Sequence, residues 1–252
     1  ERGAQQRHRR VLALREEDRR LSFTELEEET ARAASAMLAA GLEKGDRIAW
    51  LGKNSDLYYR LFFGAARLGV VMVPVGWRLA PKEIAYIVND TGARMLFTGP
   101  GFEAAADAIR ADLPRVERIF GPDEARRWIS GTDRVPFEAA GPEDAVLQLY
   151  TSGTTGNPKG AVLSNRNLFG LRVPALDADL PWSYWDEDEV VLVCMPCAHI
   201  GGTGLGVMAL AAGVTGYVMS EFDPAGVLEA VVEGRVTRFF MVPAALQMVI
   251  NH

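Results

Sequence analysis

Cysteine and histidine are scarce here, with two cysteines and three histidines in 252 residues. Two thiols in a chain this long cannot make a disulfide framework, so a reducing cytoplasm is the expected compartment. Long apolar runs are also missing. The longest candidate, Leu61 to Trp77, is broken by Arg67 and several glycines, so no membrane span is expected. The first residues are charged and no apolar stretch comes after them, so no signal peptide is expected. Positive charge is in deficit, 27 Lys and Arg against 33 Asp and Glu, for a net charge of −6. That balance speaks against nucleic acid or an anionic membrane surface as the main partner. The cluster Arg7-His8-Arg9-Arg10 reads as a solvated chain end. No internal repeat of a solenoid period is present.

What the chain has is apolar content, 48% of its residues, ample for a large core. Its periodicity alternates between extended and helical. Val11 to Leu14 and Arg20 to Phe23 suit a hairpin, and Thr24 with Glu27 has the pattern of a helix-capping box. A helix then runs to Gly41. Strands are expected at 47–51, 70–75, 94–98, 145–150, 190–195, 215–220 and 238–242. Helices are expected at 55–68, 81–89, 102–112, 165–171, 202–212 and 224–233. Such alternation implies parallel strands joined by helical crossovers. The stretch 121–144 is rich in Gly, Pro, Asp and Glu and reads as a surface connection. The expected fold class is α/β, with two lobes of mainly parallel sheet flanked by helices: residues 1–120, then the connection 121–144, then residues 145–252.

The most informative segment is Tyr150-Thr151-Ser152-Gly153-Thr154-Thr155-Gly156-Asn157-Pro158-Lys159-Gly160, directly after an expected strand. Glycines let successive backbone N–H groups converge on an anion. The hydroxyls of Thr151, Ser152, Thr154 and Thr155 add donors without charge, and Lys159 adds a point charge. This is the chemistry of a polyphosphate cradle. It is not a Walker loop, because the fifth residue after Gly153 is Pro158 rather than glycine. The competing reading is an exposed hairpin rich in small polar residues.

The one histidine away from the chain ends is His199, in Met195-Pro196-Cys197-Ala198-His199-Ile200-Gly201-Gly202. By default a lone histidine here is a satisfied core residue. Cys194 and Cys197 have redox-motif spacing but lack the further ligands a zinc site needs, so buried apolar thiols are expected. Trp182, Tyr184 and Trp185 either touch an apolar ligand or pack as a loop over the core. The acidic run beside them, Asp186 to Glu189, reads as a solvated turn.

The run from Thr151 to Gly160 closely resembles the phosphate-binding signature of the adenylate-forming superfamily, which includes acyl-CoA synthetases, luciferases and peptide-synthetase adenylation domains. Further segments resemble that family in order and spacing: Leu21 to Leu26, Lys44 to Ala49, Asn54-Ser55, Gly64 to Val75, Asp90 to Arg94, Met195 to Gly202, and Val242 to Leu246. The resemblance implies the N-terminal portion of an acid–thiol ligase, a fatty-acid–CoA ligase or related acyl-CoA synthetase. Such an enzyme uses ATP and Mg²⁺ to turn a carboxylic acid, expected to be fatty or otherwise apolar, into an acyl-adenylate. Coenzyme A then takes the acyl group. The resemblance assigns the β- and γ-phosphates to Thr151, Ser152, Gly153, Thr154, Thr155, Gly156 and Lys159. It makes Thr151 a candidate Mg²⁺ ligand and gives His199 a positioning or gating role beside the acyl group. Cys197 and Ala198 stand where the family has a large apolar pair, which implies an unusual pocket wall. The family's later motifs and its lysine-bearing C-terminal domain do not come after Leu246, so these 252 residues alone are not expected to complete thioester formation. An aryl-acid ligase, a peptide-synthetase adenylation domain and a non-catalytic nucleotide-binding fragment remain as alternatives, and a homo-oligomer is left open.

Overall fold

The computed structural model describes residues 12–151, 157–170 and 172–252. The described chain opens with the antiparallel strands β1 (Leu12–Glu16) and β2 (Arg19–Ser22). Helix α1 (Phe23–Ala39) starts one residue before Thr24, so the capping box is not Thr24 with Glu27. It is Ser22 with Glu25. Ser22 Oγ accepts from the Glu25 N–H at 3.2 Å, and the Glu25 carboxylate accepts from the Ser22 N–H and hydroxyl, each at 2.8 Å. Both pairs have the right spacing. The strand ending at Ser22 decides between them, because a cap residue must keep extended backbone.

The alternation then runs β3 (Arg47–Leu51), α2 (Asp56–Leu68), β4 (Val71–Val75), α3 (Pro81–Thr91), β5 (Met95–Thr98), α4 (Glu103–Ala108), β6 (Arg118–Phe120), α5 (Pro122–Ser130), β7 (Ala145–Thr151) and β8 (Lys159–Ser164). It continues with α6 (Asn165–Phe169), α7 (Arg172–Asp177), β9 (Val190–Val193), α8 (Ile200–Ala212), β10 (Thr215–Val218), α9 (Pro224–Val232), β11 (Arg238–Phe239) and α10 (Pro243–Ile250). The protein is an α/β fold.

The described residues form two compact units. The central unit holds Glu28–Lys53 and Leu57–Asn167, and the terminal unit holds the residues up to Glu27, Asn54–Asp56 and Leu168–His252. The central sheet has the order β6-β5-β3-β4-β7-β8, parallel except for the β7–β8 pair. The terminal sheet has the order β11-β9-β10-β1-β2, parallel except for β1–β2. Pairing of β7 with β4 therefore groups β7 and β8 with the strands before residue 121, whereas the sequence pattern grouped residues 145–164 with the strands after residue 189. The stretch 121–144 is also not all connection. Its helix α5 buries Ala125 and Ile129, and Trp128 lies 4.8 Å from the Phe120 ring, which stacks on Phe97 at 4.7 Å. Aromatic pairs of this kind contribute about 0.5–1.5 kcal/mol beyond their buried area.

The strands β4 and β5 are buried along their whole length, and β3 from its second residue on. Continuous rather than alternating burial is what a parallel sheet covered on both faces requires. Pro74 interrupts one ladder. It has no N–H to donate, and β4 pairs with β7 only at Met72↔Leu147, two residues earlier. Beyond that point β7 runs on with β8 as its partner. The carboxyl ends of parallel strands are where open α/β sheets bind ligands, and β7 delivers Thr151 at that end.

Candidate functional site

The candidate phosphate segment lies between the paired antiparallel strands β7 and β8. Thr151 and Lys159 are register partners at its mouth, with Tyr150↔Gly160, Leu149↔Ala161 and Gln148↔Val162 further inward. Thr151 and Lys159 are both exposed. The residues between them that carry most of the expected cradle, Ser152, Gly153, Thr154, Thr155 and Gly156, lie outside the described residues.

The hairpin's base is tightly built. A Cβ at Gly160 would stand 2.4 Å from Gln148 Nε2 and 3.0 Å from Tyr150 Cζ, so no other residue fits without displacing them. Gln148 Nε2 donates to the Tyr150 hydroxyl at 3.3 Å, and that hydroxyl donates to the Asp90 carboxylate. Burial, then the Asp90 carboxylate, pushes the Tyr150 phenol well above its ordinary pKa, so it stays a donor.

His199 belongs to the terminal unit. It is the N-cap of α8, with extended backbone at φ −125° and ψ 152°. Its N–H donates to the Pro196 carbonyl at 3.0 Å, and its own carbonyl accepts from Gly202 N–H at 3.0 Å and Thr203 N–H at 3.2 Å. The residue is exposed, which rules out a satisfied core histidine. Its fold position leaves the imidazole in solvent at the end of a buried strand.

The segment carrying His199 is held by three side-chain hydrogen bonds from one residue. Asn54 Nδ2 donates to the carbonyls of Met195 and Met219, each at 3.0 Å, and its Oδ1 accepts from the Cys197 N–H at 2.7 Å. Asn54 is 2% exposed. Thr203 Oγ1 adds a bond to the Cys197 carbonyl at 2.7 Å. Gly202 completes the lock, since a Cβ there would meet Met195 O at 2.3 Å and Pro196 O at 2.4 Å. The glycine thus seats α8 against the loop, and its Cβ position offers no room for an acyl chain. Sequence reasoning marked Asn54 only as part of a resemblance. Nothing in residue spacing links position 54 to positions 195–219.

A second cluster joins Glu16 and Asp56 to Ser55 of the Asn54-Ser55 segment. Glu16 Oε2 accepts from the Asp56 N–H at 2.9 Å and from Ser55 Oγ at 3.3 Å, with both carboxyl groups buried. Arg19 Nη1 lies 3.5 Å from Asp56 Oδ1. Burial first, then the Asp56 side chain, pushes the Glu16 carboxyl up to about 7.

The cysteines are both buried and in no disulfide. Burial pushes the Cys194 thiol up to about 11, which disfavours the thiolate that redox chemistry needs. Of the aromatic segment, Trp185 packs against Val191, Leu205, Ala209 and Val214, while Trp182 and Tyr184 are exposed. Glu189 is not a solvated turn residue. It pairs with Arg238 at 2.8 Å, and Arg238 also donates to the Trp182 and Tyr184 carbonyls. Among the described residues no group of His, Cys, Asp and Glu is placed to hold a metal ion. No described helix is long and apolar enough to cross a membrane.

The sequence is 37% identical over 238 residues to the fatty acid–[acyl-carrier-protein] ligase ScoC of Streptomyces coeruleorubidus, covering 93% of this chain and 46% of that protein. It is 35% identical over 247 residues to the indoleacetate–CoA ligase of Aromatoleum aromaticum, covering 94% and 48%. The chain therefore spans about half the length of these curated relatives. The fold is similar to the crystallised N-terminal domain of FACL13 from Mycobacterium tuberculosis, with a TM-score of 0.88 and 28% identity over all of this chain and 64% of that one. The model of the family described as AMP-binding enzyme matches residues 1–252, and the chain belongs to that family.

Proposed function

We propose that the protein carrying this chain activates a carboxylic acid with ATP and passes the acyl group to a thiol. In the first step a carboxylate oxygen attacks the α-phosphorus, and the bond to pyrophosphate breaks. In the second, the thiol, losing its proton, attacks the acyl carbonyl through sulfur, and AMP leaves with the electron pair of the broken acyl–phosphate anhydride bond. The observation that carries this is Thr151 opposite Lys159 at the exposed mouth of a hairpin in an AMP-binding chain.

In this reading the hairpin from Thr151 to Lys159, including Ser152 to Gly156, holds the β- and γ-phosphates. Lys159 offsets the charge that builds on departing pyrophosphate, and the hydroxyls align it. The Thr151 hydroxyl and the Lys159 ammonium, both exposed at the hairpin's mouth, suit a polyphosphate. Thr151 would help hold a Mg²⁺ ion through its hydroxyl, and the ion would supply further charge neutralisation. His199, exposed and fixed through its backbone, would position or gate the acyl group rather than transfer protons.

The acid is proposed to be fatty or otherwise apolar. The relatives' names pull in two directions, one naming a fatty acid and the other an arylacetate. They also name two thiols, so an acyl carrier protein stands beside coenzyme A as acceptor. Acid-dependent ATP–pyrophosphate exchange tests the proposal, using a polypeptide that carries this sequence at the length of its relatives. Exchange with medium- or long-chain fatty acids supports the reading. Exchange with aryl acids alone moves it to the second acid class. Absence of exchange with every acid, alongside retained MgATP binding, leaves a nucleotide-binding protein that does not catalyse.

A further inference from the structure

If the hairpin binds phosphate, something must keep Thr151 and Lys159 facing each other, and the inference drawn below rests on that phosphate reading. The strand β8 is the last strand of its sheet, paired only with β7. An edge strand held on one side has half the ladder of an interior one and opens more easily. The pairs inward from the mouth include Tyr150↔Gly160 and Gln148↔Val162. Glycine weakens a strand, having no side chain to pack and more entropy to lose. Here the missing Cβ has a use, because its space is taken by the Tyr150 ring and the Gln148 amide.

The Tyr150 ring packs across Gly160 of the partner strand. Its hydroxyl ends on Asp90, sixty residues earlier in sequence and in the last turn of α3. Tyr150 and Tyr86 also pack on the cluster formed by β3, β4, β5 and α3. Asp90 opens one segment that resembles the family and Tyr150 directly precedes another, and the fold joins them. The phenol is thereby tied to a helix of the body of the sheet as well as to Gln148 of the hairpin.

We infer that Tyr150 is a positioning residue: its hydroxyl, fixed between Gln148 and Asp90, clamps the β7–β8 ladder at Gly160 and so keeps Thr151 and Lys159 in phosphate-binding register. It acts through the two residues next to it at the hairpin's mouth.

Two readouts on a polypeptide that carries this sequence at the length of its relatives test this, with Tyr150→Phe, Asp90→Ala and Asp90→Asn beside wild type. The first is amide hydrogen exchange along β7 and β8. Tyr150→Phe and Asp90→Ala are expected to speed exchange at Gly160 and Val162 by about tenfold, the worth of one hydrogen bond to a charged acceptor. Amides of β3 and β5 stay unchanged. Asp90→Asn retains a carbonyl acceptor and falls near wild type. The second readout is MgATP affinity, expected to weaken about tenfold in the same two variants and to be restored in Asp90→Asn.

Exchange in Tyr150→Phe that matches wild type, or that rises evenly over the whole sheet, overturns the clamp. Faster exchange at Gly160 with unchanged MgATP affinity overturns the positioning role while leaving the clamp as architecture. A wild type that does not bind MgATP overturns the phosphate reading itself, and the positioning role falls with it.

Discussion

Replacing Glu16 by glutamine should make the protein more stable at pH 8 while leaving it unchanged near pH 4.5. The Glu16 carboxyl is 8% exposed and its neighbour Asp56 is 1% exposed. Burial and Asp56 both oppose ionisation of Glu16. The Asp56 N–H and the exposed Arg19 favour it but are outweighed, and the carboxyl titrates near 7 instead of the ordinary 4.5. The folded state thus holds this proton more tightly than the unfolded state. Its stabilising effect is complete below pH 4.5 and is lost as pH rises to about 7. At 1.36 kcal/mol for each pH unit of displacement, the loss is about 3 kcal/mol. Glutamine cannot ionise. Its Oε1 can still accept from the Asp56 N–H, and its Nε2 can donate to the Asp56 carboxylate. Urea unfolding monitored by tryptophan fluorescence, repeated from pH 4.5 to 8, reads the difference between variant and wild type. That difference should grow by about 3 kcal/mol in favour of Glu16→Gln across the window. Subtraction cancels the titrating groups that do not contact Glu16. A difference that stays constant with pH would refute the reasoning.

Asn54→Ala removes three bonds to buried backbone groups. It should cost about 3 kcal/mol and lower the thermal midpoint by roughly 6–12 °C, measured by calorimetry. Both thiols should resist a colourimetric thiol reagent at pH 8 in the native protein and react after denaturation, since Cys194 and Cys197 are buried. The last elements of the chain expose apolar side chains, with Val232 at 78%, Ile250 at 68% and Met248 at 55%. The 252-residue polypeptide should therefore bind a hydrophobic dye and associate as its concentration rises, and Val232→Lys with Ile250→Lys should reduce both.

Elements with strong periodicity were legible in the sequence almost to the residue. The strand Arg47–Leu51 has the same ends in the structure, and α3 and α9 begin at the prolines that announced them. Weak periodicity hid α5, whose polar surface masks a stripe of only Ala125 and Ile129 facing inward. The strand β8 was missed for a related reason. It is an edge strand whose first four residues are exposed, so it lacks the apolar run of its neighbours. At the site, the local chemistry of Thr151, Lys159 and His199 could be read from residue types alone. The partners of these segments could not. Asn54 reaches Cys197 and Asp90 reaches Tyr150 across 143 and 60 residues, and only the packed sheet order brings such pairs together.

The most direct test is a titration of MgATP into a polypeptide that carries this sequence at the length of its relatives, as wild type and as Lys159→Ala, with circular dichroism confirming that both are folded. Lys159 is an exposed residue at the hairpin's mouth, so its removal should leave the fold intact. Saturable binding by wild type, weakened about tenfold or more by the substitution, is the predicted result, because one point charge on a polyphosphate is lost. Equal affinity in the two proteins, or no binding by wild type, would contradict the assignment of the Thr151–Lys159 hairpin to the phosphates of ATP.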